Sequence, residues 1–131
     1  MTQPDPNTDH EQLMLGDAGM DHMHREFLDL HARVLQASGQ AFADGFNELL
    51  AHTRKHFTSE EILMTATAFP AVAEHKADHQ RVLGEMDRFA LRIAKGSTQM
   101  ARAWVKEQLP DWFAVHVRNM DSALAMHLKR A

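Results

Sequence analysis

The sequence predicts an all-α protein, an antiparallel up-down-up-down four-helix bundle. Three observations carry this expectation. Chain breakers are few and evenly placed, at Ser38-Gly39, Phe69-Pro70 and Gly96-Ser97. Between them run long segments with little β-branched content, in which seam residues recur at alternating steps of three and four. The 131 residues, 44% hydrophobic and 24% charged, suffice for one domain with its own core.

Each segment yields one helix. Residues 1–12 are polar, carry two prolines and read as an N-terminal tail; residues 13–131 form the bundle. The first helix is expected over 19–37, with Met20, His24, Phe27, His31 and Val34 on its seam. The second is expected over 42–66, its start delayed by Asp44-Gly45, with Leu49, Thr53, His56, Glu60 and Leu63 aligned. The third is expected over 70–94, with Pro70 in its first turn, where a missing N–H costs nothing. Its seam is Val72, His75, His79, Val82, Met86, Phe89 and Ile93. The fourth is expected over 98–128, through Leu109, Phe113, His116, Met120 and Ala123, and Pro110 should kink or split it. Alternating three/four spacing is the seam of helices packed at shallow angles, and short turns make neighbours antiparallel.

Composition removes several chemistries. The chain has no Cys, hence no disulfide, thiolate or Fe–S chemistry, and no Tyr for radical or acid–base work. Its net charge of −4, without a basic block, argues against nucleic acid as a partner. No apolar run approaches the roughly 18 residues of a membrane span, and no leader pattern is visible, so a cytoplasmic location is expected. What stands out is ten His.

Each seam places His or Glu where the core should be. One such residue would be an ordinary hydrogen-bonded core histidine. Their heights agree, however. In antiparallel neighbours, residues equidistant from a turn lie level, so a turn near 68 sets His56 beside His79 and Glu60 beside His75. A turn near 97 sets His79 beside His116 and His75 beside Asp121, and His24 falls between His56 and Glu60. At about 1.5 Å rise per residue the set spans about 6–8 Å along the bundle. His24, His56, Glu60, His75, His79, His116 and Asp121 therefore converge on one layer as metal ligands. Seven ligands are too many for one ion. With both carboxylates and one solvent oxygen bridging, five His divide three and two, leaving one position open on the second metal. Fe(II), Mn and Zn all suit this donor set. His116 and Asp121 are five apart, about 140° around an ideal α-helix, so a π-type turn or a seam-flanking reach is expected there.

The full pattern is D-x-x-H (Asp21–His24), H-F-x-x-E-E-x-x-M (His56–Met64), F-P (Phe69-Pro70), H-x-x-x-H (His75–His79) and W-F-x-x-H-x-x-x-x-D (Trp112–Asp121). This resembles the hemerythrin family, most closely its single-domain bacterial members, over about residues 13–128. The resemblance implies a hemerythrin-like fold and two Fe ions (Fe2+/Fe3+) with an oxo or hydroxo bridge, binding O2 reversibly. It implies His75, His79 and His116 on one iron, His24 and His56 on the other, and Glu60 and Asp121 bridging. It also implies that Trp112 and Phe113 flank the O2 pocket. Met23 stands where the family often has Gln, and an upstream Trp is missing.

The resemblance favours an O2 carrier, store or sensor, acting as a monomer or small oligomer. The other classes are a di-iron peroxidase, oxidase or nitric-oxide-handling enzyme, and an iron store or scavenger. Of the remaining histidines, His22 is expected in solvent, and His52 and His127 at the surface or flanks. His31, about 10 Å from His24, is too far away to be a ligand and reads as a satisfied core residue. Asp21 either orients a ligand histidine or caps the first helix.

Overall fold

The computed structural model describes residues 13–130, and the tail expected over 1–12 lies outside them. The chain forms α1 (Ala18–Gln36), α2 (Gly39–Ala66), α3 (Val72–Ala94) and a fourth helical rod, α4, over 99–130. Among the described residues there is no strand. This is the expected all-α four-helix bundle.

Local chemistry sets the ends. Asp17 caps α1 by accepting the Met20 N–H at 2.9 Å. Asp21 accepts the Leu15 and Gly16 N–H groups at 2.7 and 3.1 Å, so it ties down the approach to α1 and touches no ligand imidazole. α2 begins at Gly39, ahead of the expected start, and Gly45 lies inside it. A Cβ there would meet Val34 Cγ2 at 3.2 Å, so this glycine lets α1 and α2 approach.

The next two turns share one device. After α3, the Ser97 N–H bonds the Arg92 carbonyl and the Gly96 N–H bonds that of Ile93. After α2, the Phe69 N–H bonds Met64 and the Ala68 N–H bonds Thr65. Both are Schellman closures, which need a left-handed residue. Gly96 (φ 91°) supplies it in one turn and Ala68 (φ 53°) in the other. Pro70 follows this closure and lies before α3, which starts at Val72; the proline stops the chain from continuing as helix and does not open the next one. His127 donates to the Thr67 carbonyl at 2.9 Å and so closes the same turn from α4.

Pro110 neither breaks α4 nor splits it. The rod absorbs the proline in a π segment, Trp104–Gln108, before resuming as α-helix over Leu109–His116. Here the Leu109 N–H bonds the Trp104 carbonyl, five residues back. In that register the Val105 carbonyl faces Pro110, which has no N–H. His31 supplies the missing donor: its Nε2 lies 2.7 Å from the Val105 oxygen. His31 is therefore a satisfied packing residue.

The core divides in two. Phe27, Phe42, Phe46, Leu49, Met86, Val105 and Leu109 belong to a large apolar cluster, and Met20, Met64, Phe69, Leu124 and Ala125 to a small one. The charged layer lies between them.

Two outcomes follow from these local geometries. Ala68→Gly should raise stability by about 0.5–1 kcal/mol, since it relieves a left-handed alanine at some cost in chain entropy; denaturant titration reads it. His31→Leu should cost about 1–3 kcal/mol by orphaning a buried carbonyl, and His31→Gln less. Burial holds the His31 pKa below its ordinary 6.5 despite the Val105 bond. The neutral form is thus favoured in the fold, its contribution complete above pH 6.5 and lost as pH falls further. The wild-type advantage over His31→Gln should shrink in that direction.

Candidate metal centre

All seven residues expected to form the site are buried, none more than 3% exposed. α1 supplies His24, α2 supplies His56 and Glu60, α3 supplies His75 and His79, and α4 supplies His116 and Asp121. A second π segment, Val117–Asp121, aligns the last pair. Its i→i+5 bond, from the Ser122 N–H to the Val117 carbonyl, brings residues five apart towards one face, the first of the two arrangements expected from their spacing.

Within the layer, each carboxylate divides its two oxygens between two sets of histidines. Glu60 Oε1 lies 3.3 Å from His75 Nε2 and 3.2 Å from His79 Nε2, while its Oε2 lies 2.6 Å from His56 Nε2. Asp121 Oδ1 lies 3.0 Å from His75 Nε2 and 3.2 Å from His116 Nε2, while its Oδ2 lies 2.9 Å from His24 Nε2. One side thus has three imidazoles and two oxygens, and the other has two imidazoles and two oxygens.

The chemistry of the donors suits cations. Glu60 Oε1, Asp121 Oδ1 and the Nε2 atoms of His75, His79 and His116 are buried without a hydrogen-bond partner. Five such orphans facing one another would cost several kcal/mol apiece without an ion. Burial and Asp121 push the Glu60 carboxyl up, but the His56 hydrogen bond and the adjoining His75 and His79 rings outweigh them and hold it below its usual range. Asp121 is likewise held low against burial by His116, His24 and His75. Burial works against a charged His75, yet Asp121 and Glu60 raise its pKa to about 9. Anionic oxygens in an apolar layer are what a cation needs.

The outer nitrogens reveal partners that the sequence reading missed. His116 Nδ1 donates to Asp78 at 2.7 Å, and His79 Nδ1 donates to Glu61 at 3.1 Å. Asp78 is also bonded by Arg81. Burial pushes the Asp78 carboxyl up, but the His116 bond and charge, with Arg81, hold it below its ordinary value. Glu61 stood in the E-E motif and Asp78 beside a ligand histidine, but only ring orientation gives them a role. Phe57 stacks on His79 with centroids 3.7 Å apart.

The structure separates Trp112 from Phe113. Phe113 meets the His24 ring edge-on at 5.5 Å, on the two-histidine side, and stacks with Phe27 at 4.3 Å. Trp112 stacks on His116 at 4.7 Å, on the three-histidine side. Consecutive helical residues project about 100° apart, so the two rings meet different ligand histidines. Of the other histidines, His22 is exposed and pairs with Glu26 at 2.8 Å. His52 is more enclosed than expected, its side chain 11% exposed.

Four helices that aim seven nitrogen and oxygen side chains into one layer define a metal-binding bundle with donor groups for two ions. Residues 15–128 match the family model "Hemerythrin HHE cation binding domain". A bacteriohemerythrin of Ralstonia nicotianae is 37% identical, over 90% of this chain and 85% of its own length. One of Stenotrophomonas maltophilia is 29% identical, over 91% of this chain and 79% of its own. A hemerythrin of Phascolopsis gouldii is 33% identical over 48% of this chain and 51% of its own length. No solved structure gives a significant match. The chain belongs to the hemerythrin family.

Asp78 fixes one imidazole by a short buried bond, whereas Glu61 is longer and more exposed. Asp78→Ala should therefore lower iron retention by about 10–100-fold, and Glu61→Ala less. A chelator competition titration checks both.

Proposed function

We propose that His75, His79 and His116 hold one iron, that His24 and His56 hold the other, and that Glu60 and Asp121 bridge them, forming a centre that binds O2 reversibly as a carrier, store or sensor. O2 binding at a non-haem di-iron site is the function that membership of the hemerythrin family brings. The observation that supports the residue assignment is the division of each carboxylate's oxygens between the two histidine sets. When bound, the iron pair supplies two electrons and one open coordination position.

The protein's own residues do the rest. Five neutral imidazoles and two carboxylates hold the ions while leaving the two-histidine side one donor short. Two bridging anions lower the charge that the apolar layer must enclose. Phe113, backed by Phe27, covers His24 and keeps water from that side. Asp78 and Glu61 hold two ring orientations on the three-histidine side.

No residue is proposed as catalytic; the relatives are O2-binding proteins, and this chain lacks any Tyr. The reading includes a cytoplasmic monomer or small oligomer, with neither membrane nor nucleic acid as partner. The charge of −4 argues against nucleic acid, and among the described residues no helix is long and apolar enough to cross a membrane.

Elemental analysis after expression with iron should give close to two irons per chain. His24→Ala should lose the second iron and reversible O2 binding. Phe113→Ala should keep its iron and autoxidise faster. A value near one iron in the wild type, or preferential zinc under iron-replete conditions, counts against the assignment.

A further inference from the structure

Aromatic rings close most of the shell around the cluster. Phe57 lies on His79, Trp112 on His116, Phe69 edge-on to His75 at 6.4 Å, and Phe113 edge-on to His24. His56 is different. Besides Phe57 at 5.7 Å, its neighbour on α2 is His52, one helical turn away with ring centroids 6.3 Å apart. A polar ring stands where the other flanks are apolar.

His52 also faces outward. It lines a cavity of about 470 Å³ between α1 and α2, with Glu26, Arg33, Glu48 and Lys55 among the other walls. None of the seven cluster residues lines that cavity. His52 is thus common to the cavity wall and to the ring shell of the cluster. Its Nε2 is buried without a hydrogen-bond partner. Its Nδ1 lies 3.4 Å from one oxygen of Glu26, whose other oxygen pairs with His22. Glu26 is 46% exposed, so the outer end of this tether is screened by solvent and holds the ring weakly. The ring is thus held by the Glu26 tether and by the Met23 backbone on α1, the polar contacts that a swing would have to break.

We propose that His52 is the gate through which small ligands pass between the α1–α2 cavity and the open position of the His24–His56 iron, with Glu26 as its latch. The proposal rests on the iron assignment above. The ligands concerned are those of two or three atoms, O2 and small anions, which enter past a mouth of mixed charge, Glu26, Asp29 and Glu48 with Arg33 and Lys55. A gate has a kinetic signature that a ligand-stabilising residue lacks. It changes entry and exit by the same factor and leaves the equilibrium constant alone, whereas loss of a stabilising contact acts mainly on exit and shifts Kd.

The test is stopped-flow binding of azide to the oxidised, iron-loaded protein, comparing wild type with His52→Ala, His52→Phe and Glu26→Ala at equal iron content. Glu26→Ala alters a surface residue and covers the case in which His52→Ala perturbs folding. His52→Ala and Glu26→Ala should raise the on- and off-rate constants together, several-fold, with Kd within about twofold of wild type. His52→Phe should lower both. Unchanged rates in both alanine variants would overturn the gate while leaving the iron assignment intact, and so would a Kd shift carried by the off-rate alone. A wild-type protein that binds no azide would instead overturn the open-position reading, and the gate with it.

Discussion

The fold is organised around a desolvation problem. Seven ionisable side chains lie in a layer at most 3% exposed, between two apolar clusters that exclude water from both ends. Uncompensated, such a layer would unfold a bundle of this size. The carboxylates and imidazoles offset part of the cost by pairing, but five inward atoms still have no partner. All five lie on the three-histidine side, where one cation satisfies them, while the other oxygen of each carboxylate pairs with His56 or His24. Metal loading and the stability of the bundle are therefore linked, and the helices are spaced by the layer as much as by the apolar seams.

The backbone is shaped to the same end. The π segment Val117–Asp121 gives α4 two donors where an α-helix would deliver one. The other π segment, Trp104–Gln108, accommodates Pro110 and leaves a carbonyl that α1 satisfies through His31. Two departures from α-helical register in one rod thus serve different purposes, one chemical and one structural. The three-histidine side is further stiffened by Asp78, Glu61, Trp112 and Phe57, while the two-histidine side has Phe113 and the loosely tethered His52. That asymmetry suits a centre with one stable metal and one that exchanges a ligand.

Much of this was legible in the sequence because it depends on spacing. Steps of three and four fix the seams, and short turns fix which residues are level, so the pairing of Glu60 with His75 and of His75 with Asp121 could be read before any coordinates. The five-residue gap between His116 and Asp121 called for a π turn or a seam-flanking reach, and the chain uses the π turn. Ring orientation was not legible, which is why Asp78 and Glu61 acquired a role only in three dimensions. Spacing also did not show which ligand histidine Trp112 and Phe113 would each meet, since adjacent helical residues diverge by about 100°. The Trp104–Gln108 segment had a signal, a mid-helix proline opposite a seam histidine, but its meaning depends on which carbonyl lacks a donor. Donor chemistry left iron, manganese and zinc open, and membership of the hemerythrin family selects iron.

The central claim is that two carboxylates each bridge two metal ions. It is tested most directly by a crystal structure of the iron-loaded protein with anomalous scattering recorded at the iron edge. Two peaks about 3.5–4 Å apart should appear, with Glu60 and Asp121 each contacting both through separate oxygens. A single peak among His75, His79 and His116, or a carboxylate with both oxygens on one iron, would contradict it.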